Sequence, residues 1–66
     1  MYFVYRATPS IEALRGQADE LLLASMLAQD LSRAEPGVMF LTTTSDGIIT
    51  SRYVDGVFVF EDADED

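Results

Sequence analysis

The chain has 66 residues, enough for one domain at most, and it contains neither Cys nor His. Disulfides are therefore excluded and a structural zinc site is disfavoured. A domain of this size must then draw its stability from its own core or from association with another chain. Twelve acids against four arginines, with no lysine, give a net charge of −8. This charge disfavours direct binding of DNA or RNA and favours a protein partner with a basic surface.

The chain carries no sign of a membrane segment. No apolar run approaches the roughly 20 residues that a spanning helix needs. The first residues lack the basic region and the small-residue cleavage site of a signal peptide. We therefore expect a cytoplasmic protein without membrane contact.

The first predicted elements are a strand and a helix. Aromatic residues and Val alternate over residues 2–7, which predicts a strand. Thr8 is the predicted N-cap of the following helix, with Ser10 as the alternative, and Pro9 suits its first turn.

The predicted helix continues to about Arg33 and is interrupted by Gly16, which costs a helix about 1 kcal/mol relative to Ala. The segment is therefore either one kinked helix or a short helix over 9–15 followed by a longer one over 17–33. The sequence Glu35-Pro36-Gly37 predicts its end.

After Gly37 the apolar pattern changes to a period of two, which is typical of strands. Residues 38–44, 48–54 and 57–61 are separated by Asp46-Gly47 and Asp55-Gly56, and both dipeptides are strong signals for a two-residue hairpin turn. The pattern predicts a three-stranded antiparallel meander.

The turns also predict which strand residues face the core. If Ser45 pairs with Ile48 and Val54 with Val57, alternation assigns each side chain to one face. The more aromatic face, predicted to lie under the helix, carries Val38, Phe40, Thr42, Thr44, Ile49, Ser51, Tyr53, Phe58 and Phe60. With the first strand at an edge, the expected fold is a single α+β domain over residues 1–61, in the order β-α-β-β-β, with the helix on one face. Residues 62–66 are predicted to be an acidic mobile tail.

The predicted helix is more apolar than one small sheet can cover. Leu23, Leu27 and Leu31 recur every four residues, on a different side from the stripe that includes Leu21 and Leu22. We expect a second copy, giving a homodimer, or another protein to cover Leu23, Leu27 and Leu31.

The composition argues against catalysis. Without His, Cys or Lys the chain lacks the commonest general base, the best nucleophile and the Schiff-base amine, so we expect no enzyme and no cofactor. The spacing Asp62-x-Asp64-x-Asp66 lacks the Gly and the Glu of a calcium loop, so no metal site is expected.

The acids provide the candidate partner-binding residues. The predicted turns explain two acids and the predicted helix starts explain Glu12, Asp19 and Glu20, so seven acids remain: Asp30, Glu35 and the five of residues 61–66. The candidate partner-binding acids are Asp19, Glu20, Asp30, Glu35, Glu61, Asp62 and Asp64. In an extended tail, alternate acids would recur every ~6.6 Å, of the order of the spacing between successive phosphates. Such an array could occupy a Lys/Arg groove that normally holds nucleic acid. The alternative is that the tail keeps an apolar domain soluble.

The chain combines a small size, an absence of catalytic residues and a helix-on-sheet layout with an excess of acidic residues. This excess is seen in Asp19, Glu20, Asp30, Glu35 and residues 61–66. In these whole-chain features the protein resembles the small acidic inhibitors with which bacteriophages block host defences, including anti-CRISPR proteins and other DNA mimics. The resemblance implies a basic protein partner in the host cytoplasm, such as a nuclease or a CRISPR complex. Two alternatives stay open: a homo-oligomeric assembly module, and an antitoxin-like regulator that masks a basic toxin.

Overall fold

A computed structural model describes residues 1–60 and confirms the predicted α+β class, with one helix packed on an antiparallel sheet. The elements are β1 (Tyr2–Arg6), a 3₁₀ turn (Ile11–Ala13), β2 (Leu14–Ala18), α1 (Leu21–Ala34), β3 (Met39–Thr44), β4 (Ile49–Val54) and β5 (Val57–Phe58). The strand order in the sheet is β2-β1-β3-β4-β5. The predicted tail lies outside the described residues.

The prediction of helix over residues 9–20 is wrong. This stretch forms the 3₁₀ turn and β2, and β2 pairs antiparallel with β1, so that Tyr2 is opposite Ala18 and Val4 is opposite Gly16. The first strand is consequently an inner strand between β2 and β3, rather than an edge strand. β2 forms because it pairs with β1, and a helical pattern within residues 9–33 contains no information about that pairing. Periodicity alone therefore missed this strand.

Gly16 has a different role from the helix kink that we predicted. It lies in β2, where a Cβ atom would come within 2.5 Å of Leu27 Cδ2 on α1. The absence of a side chain at Gly16 therefore lets α1 lie close against this part of the sheet.

The inner face of α1 is made of small residues. Ala24, Ala28 and Ser32, each one turn from the next, are fully buried. The two alanines form the core cluster with Val4 of β1 and Phe40 of β3. The predicted helix end is confirmed, because α1 stops at Ala34 and the chain turns with Gly37 at φ +82°.

The predicted core face of the sheet is confirmed only in part, because Phe58 and Phe60, at the end of the described chain, are 45% and 79% exposed. Val38, Phe40 and Tyr53 belong to the core or pack against it, and Phe40 lies opposite Tyr53 in the expected register. The second hairpin also has its predicted form, with Asp55 and Gly56 both at positive φ, as a type I′ turn requires.

The first hairpin differs from the prediction by one residue. The register shifts after Thr42, so that Thr43 lies opposite Ile49, and the Thr44 N–H donates to the Ile48 carbonyl at 2.9 Å. The loop therefore has three residues, 45–47, with Gly47 at φ +89°, and Ser45 does not pair with Ile48. Because residues opposite each other share a face, the bulge moves Ile49 to the face of Thr43, away from the predicted core face.

Candidate protein-binding surface

The first half of α1 exposes three large apolar side chains on the side away from the sheet. Leu22 is 67%, Leu23 51% and Met26 52% exposed. Leu22 and Met26 are one helical turn apart, and Leu23 is adjacent to both on the helix surface. We call these three residues the outer patch. Contiguous exposed apolar surface of this kind is typical of an interaction site.

The outer patch exists because α1 packs its small residues inward. With Ala24, Ala28 and Ser32 against the sheet, the side chains of Leu22 and Met26, on the opposite side of the helix, cannot also reach the core. Burial on the opposite arc is therefore the physical reason that Leu22 and Met26 remain exposed.

The predicted Leu23, Leu27 and Leu31 surface is not one exposed stripe. Leu27 and Leu31 are partly buried and pack against the core cluster, whereas Leu23 stays half exposed. Leu22, on the other predicted stripe, is the most exposed large apolar residue of the helix, at 67%. Sequence periodicity missed Leu22 and Met26 because it was centred on the large residues. A stripe centred on the small residues Ala24 and Ala28 would have found them.

Three of the candidate acids lie beside the outer patch. Asp19 and Glu20 immediately precede α1 and are exposed, and neither forms an ion pair with another described residue. Glu20 occupies the N-cap position without a side-chain capping bond, so its carboxylate does not cap the first turn of the helix. Asp30 lies one turn beyond Met26 and makes a long, exposed contact of 3.4 Å with Arg33 Nη1. A rise of about 1.5 Å per residue separates Glu20 and Asp30 by roughly 15 Å, with the outer patch between them.

Glu35, by contrast, does not join this surface. Its Oε1 accepts a hydrogen bond from Arg6 Nε at 2.8 Å, and both side chains are about 40% exposed. The ion pair connects the end of β1 to the linker after α1, at the opposite end of the helix from Asp19 and Glu20. An ion pair this exposed contributes about 0–1 kcal/mol. The other candidate acids, Glu61, Asp62 and Asp64, lie outside the described residues.

The second half of α1 is occupied by contacts with the rest of the fold. Ser32 Oγ donates to the Gln29 carbonyl at 2.7 Å and accepts the Gly56 N–H at 2.8 Å, while Gln29 Nε2 donates to the Gly56 carbonyl at 2.8 Å. Asp55 Oδ1 accepts the Gly37 N–H at 2.8 Å. These bonds hold the β4–β5 turn against the end of the helix, so the apolar surface that α1 offers to a partner lies in its first half.

Within residues 1–60 there is no enclosed cavity and no group of three His, Cys, Asp or Glu side chains placed to hold a metal ion. None of the described helices has the length and apolar character that crossing a membrane would need.

No protein-family model, curated protein or solved structure matches this chain.

Proposed function

We propose that this chain is a non-enzymatic acidic binding protein that inhibits a nucleic-acid-binding protein, such as a nuclease or a CRISPR-type complex, by covering its basic surface. The observation that supports the proposal is the outer patch, an exposed apolar surface flanked on one helix by Asp19, Glu20 and Asp30. The partner that fits it is a protein with an apolar centre and Lys or Arg side chains around it.

The two components of this surface have different effects on binding. The carboxylates compete with phosphates for the same Lys and Arg side chains, and they accelerate association with a basic partner. The outer patch supplies apolar burial, worth roughly 25 cal/mol per Å² of area removed from water. Apolar contact also distinguishes a specific complex from loose attraction between opposite charges.

The overall charge favours the same class of partner. Residues 61–66 add five of the twelve acids by sequence, and no lysine anywhere in the chain offsets them. A net charge of −8 on 66 residues steers the chain toward positive surfaces and away from nucleic acid itself.

The test is a competition between the chain and nucleic acid for one captured partner. The tagged protein is used to capture binders from an extract of cells that encode it, and each binder is then purified and titrated with a fluorescent DNA or RNA duplex. We expect the chain to displace the duplex, with an apparent affinity that falls as salt concentration rises.

Two variants separate the charge contribution from the apolar one. Asp19→Lys combined with Glu20→Lys should weaken displacement at least about tenfold, because like charges then face each other across the interface. Leu22→Ser combined with Met26→Ser should weaken it comparably without changing its salt dependence. Ile11→Ser is the matched control, because Ile11 is 87% exposed but lies outside α1.

The proposal fails if the captured partner binds the chain and the duplex at the same time. It also fails if the Asp19→Lys, Glu20→Lys variant displaces the duplex as well as the original chain does.

A further inference from the structure

The sheet has a second face, on the side away from α1. Side chains alternate along a strand, and Val4, Phe40 and Tyr53 lie on the face that packs against α1. No second α-helix among residues 1–60 covers the opposite face. We call this opposite face the open face. Its side chains in β1, β3, β4 and β5 are those of Phe3, Tyr5, Met39, Leu41, Thr43, Ile49, Arg52, Val54 and Val57.

The open face is apolar over most of its extent. Of its nine side chains, only Thr43 and Arg52 are neither aromatic nor aliphatic. Leu41, on the middle strand, is 2% exposed although it does not belong to the core cluster under α1. Phe3 and Tyr5 on the next strand are partly exposed. A contiguous apolar face of this kind is typical of a sheet that packs against a second layer.

The acidic residues avoid the strands. The chain has twelve acids, of which five belong to residues 61–66, and none of the other seven lies in a strand of the described chain. These seven occupy turns, α1 and the two ends of α1. A chain with a net charge of −8 therefore has an open face whose one charged side chain, that of Arg52, is positive.

This charge distribution selects among the occupants that an apolar face could have. A basic protein would find carboxylates beside the outer patch but none in the strands of residues 1–60. Nucleic acid is repelled by the net charge. Residues 61–66 are five acids and one alanine, so this end of the chain supplies no large apolar side chain. A second copy brings an equally apolar face and leaves the acids in the strand-free parts of both chains away from the centre of the contact.

We propose that the open faces of two copies pack against each other, giving a sandwich of two five-stranded sheets with one α1 on each outer side. Sheets in such sandwiches lie about 10 Å apart, with strand directions within about 30° of each other. Because β3 is the middle strand, a two-fold axis along β3 overlays all five strands of both copies. This inference does not rest on the proposed function, and both outer patches remain accessible in the dimer.

Arg52 distinguishes this axis from the other one that gives full overlap. Tyr5, Leu41 and Arg52 lie side by side across β1, β3 and β4. With the axis along β3, β4 of one copy lies over β1 of the other, so Arg52 faces Tyr5 of the second copy. An axis across the strands at Leu41 would instead stack β4 on β4 and bring the two Arg52 side chains together. A guanidinium over a tyrosine ring is favourable and two like charges repel, so charge selects the axis along β3.

The size of the open face limits the strength of the dimer. Five strands about 4.8 Å apart and roughly 17–20 Å long give a flat area of about 400–480 Å² per copy. The relief of the side chains adds to the area that contact removes from water, so the two faces together reach the lower limit of a specific interface, roughly 1,000 Å². The dimer therefore forms at high protein concentration and dissociates on dilution.

The first experiment measures mass by light scattering over a range of protein concentrations, in 0.15 M salt. The Debye length is then about 8 Å, so repulsion between the two acidic chains is screened. We expect the mass to rise from monomer to dimer. Tyr5→Thr, which removes a ring from the open face and keeps a β-branched residue in the strand, should weaken dimerisation at least about tenfold.

A second pair of variants has little effect on the folded monomer. Val57 lies on the open face and Ile48 lies in no strand, and both are 63% exposed. Val57→Asp should weaken dimerisation at least about threefold, because it brings an acid against an apolar face. Ile48→Asp adds the same charge and should change dimerisation less. Leu22→Ser combined with Met26→Ser, on α1, should dimerise like the wild type.

Cysteine cross-linking tests the axis, because the natural chain has no cysteine. One preparation carries Tyr5→Cys and the other Arg52→Cys. We expect a short bifunctional thiol reagent to link the mixture and neither variant alone. In the mixed dimer one Arg52–Tyr5 contact is replaced by the two thiols and the other stays intact. Far-UV circular dichroism checks that each variant is folded.

A wild-type chain that stays monomeric up to its solubility limit would overturn the proposal. So would a dimer that Val57→Asp and Ile48→Asp weaken equally, or one that Leu22→Ser with Met26→Ser dissociates, since the contact would then lie on the outer patch. Cross-linking of Arg52→Cys with itself would overturn the axis along β3. If the chain is monomeric and Tyr5→Thr abolishes binding of a captured partner, that partner occupies the open face and the proposal fails.

Discussion

At the scale of single residues, two adjacent threonines in β3 show how one atom's surroundings decide its contribution to stability. Thr42 and Thr43 are both fully buried. Thr42 Oγ1 lies 2.6 Å from both Thr50 Oγ1 and Ser51 Oγ. Thr43 Oγ1 has no hydrogen-bond partner within the described part of the chain. A buried hydroxyl with partners recovers the free energy of its desolvation, and one without partners does not.

The same substitution at these two positions should therefore have opposite effects. We expect Thr43→Val to raise the free energy of unfolding by about 1 kcal/mol, because it removes an unpaired buried hydroxyl. Thr42→Val should lower it by about 1–2 kcal/mol, because it leaves the hydroxyls of Thr50 and Ser51 without their shared partner. Urea unfolding of both variants measures the difference, and a change of the same sign in both would contradict the argument.

Gly16 provides a second prediction at this scale. Gly16→Val should lower the free energy of unfolding by about 1–3 kcal/mol, because the added side chain competes with Leu27 for the same space. Gly16→Ala should cost less, since Leu27 Cδ2 is the end of a flexible side chain. In the background of Leu27→Ala the cost of Gly16→Val should fall by at least half, which a double-mutant cycle measures. Additive effects would show that the contact with Leu27 is not the cause.

At the scale of elements, α1 is attached to the rest of the fold differently in its two halves. The first half contacts the core through Ala24 and Leu27, and its outer side is apolar and exposed. The second half is bonded to the β4–β5 turn through Gln29 and Ser32. The hydrogen bonds that anchor the end of the helix and the outer patch that we propose binds a partner are therefore separate, and each can be changed without the other.

Ser32→Ala tests the anchoring half. The Ser32 hydroxyl is buried and accepts the Gly56 N–H, so removing it should lower the free energy of unfolding by about 1–2 kcal/mol. Ser45→Ala, in the exposed β3–β4 loop, is the matched control and should stay within about 0.5 kcal/mol of the wild type. Thermal and urea unfolding measure both variants. If Ser32→Ala and Ser45→Ala change the free energy of unfolding equally, the Ser32 bonds do not hold the turn.

At the scale of the whole molecule, the dominant property is charge. A net charge of −8 on a chain of 66 residues repels itself in the compact state. The same repulsion between molecules favours solubility, even though the outer patch is exposed. The same charge therefore opposes folding and favours both solubility and attraction to a basic partner.

Added salt should consequently stabilise this protein. Raising NaCl from about 0.01 to 0.15 M shortens the Debye length from about 30 to 8 Å, so we expect the urea midpoint to rise. Deleting residues 62–66, which removes four of the twelve acids, should reduce this salt dependence. A midpoint that falls with salt would show that attractive charge pairs outweigh the repulsion.

The local sequence was sufficient to predict several features of this fold. The Asp55-Gly56 turn, the end of α1 before Gly37 and the aromatic face around Phe40 all follow from neighbouring residues, because turn geometry and side-chain alternation act over a few positions. The excess of apolar surface on the helix and the acidic charge were also apparent from the sequence. They motivated a protein partner before any contact was known.

Other features depend on contacts between different elements of the fold, which local sequence patterns do not contain. Residues 14–18 form a strand because β1 pairs with them, and this pairing outweighs a local pattern compatible with helix. The face of α1 that turns inward is determined by how closely the helix approaches the sheet. Gly16 permits that approach, Ala24 and Ala28 complete it, and Leu22 and Met26 are left outside. The amino-acid pattern alone predicts a protein with more apolar surface than its own core can bury and a strong negative charge. The packing of one helix against five strands decided where that surface lies, because close contact between elements favours small residues at the point of contact.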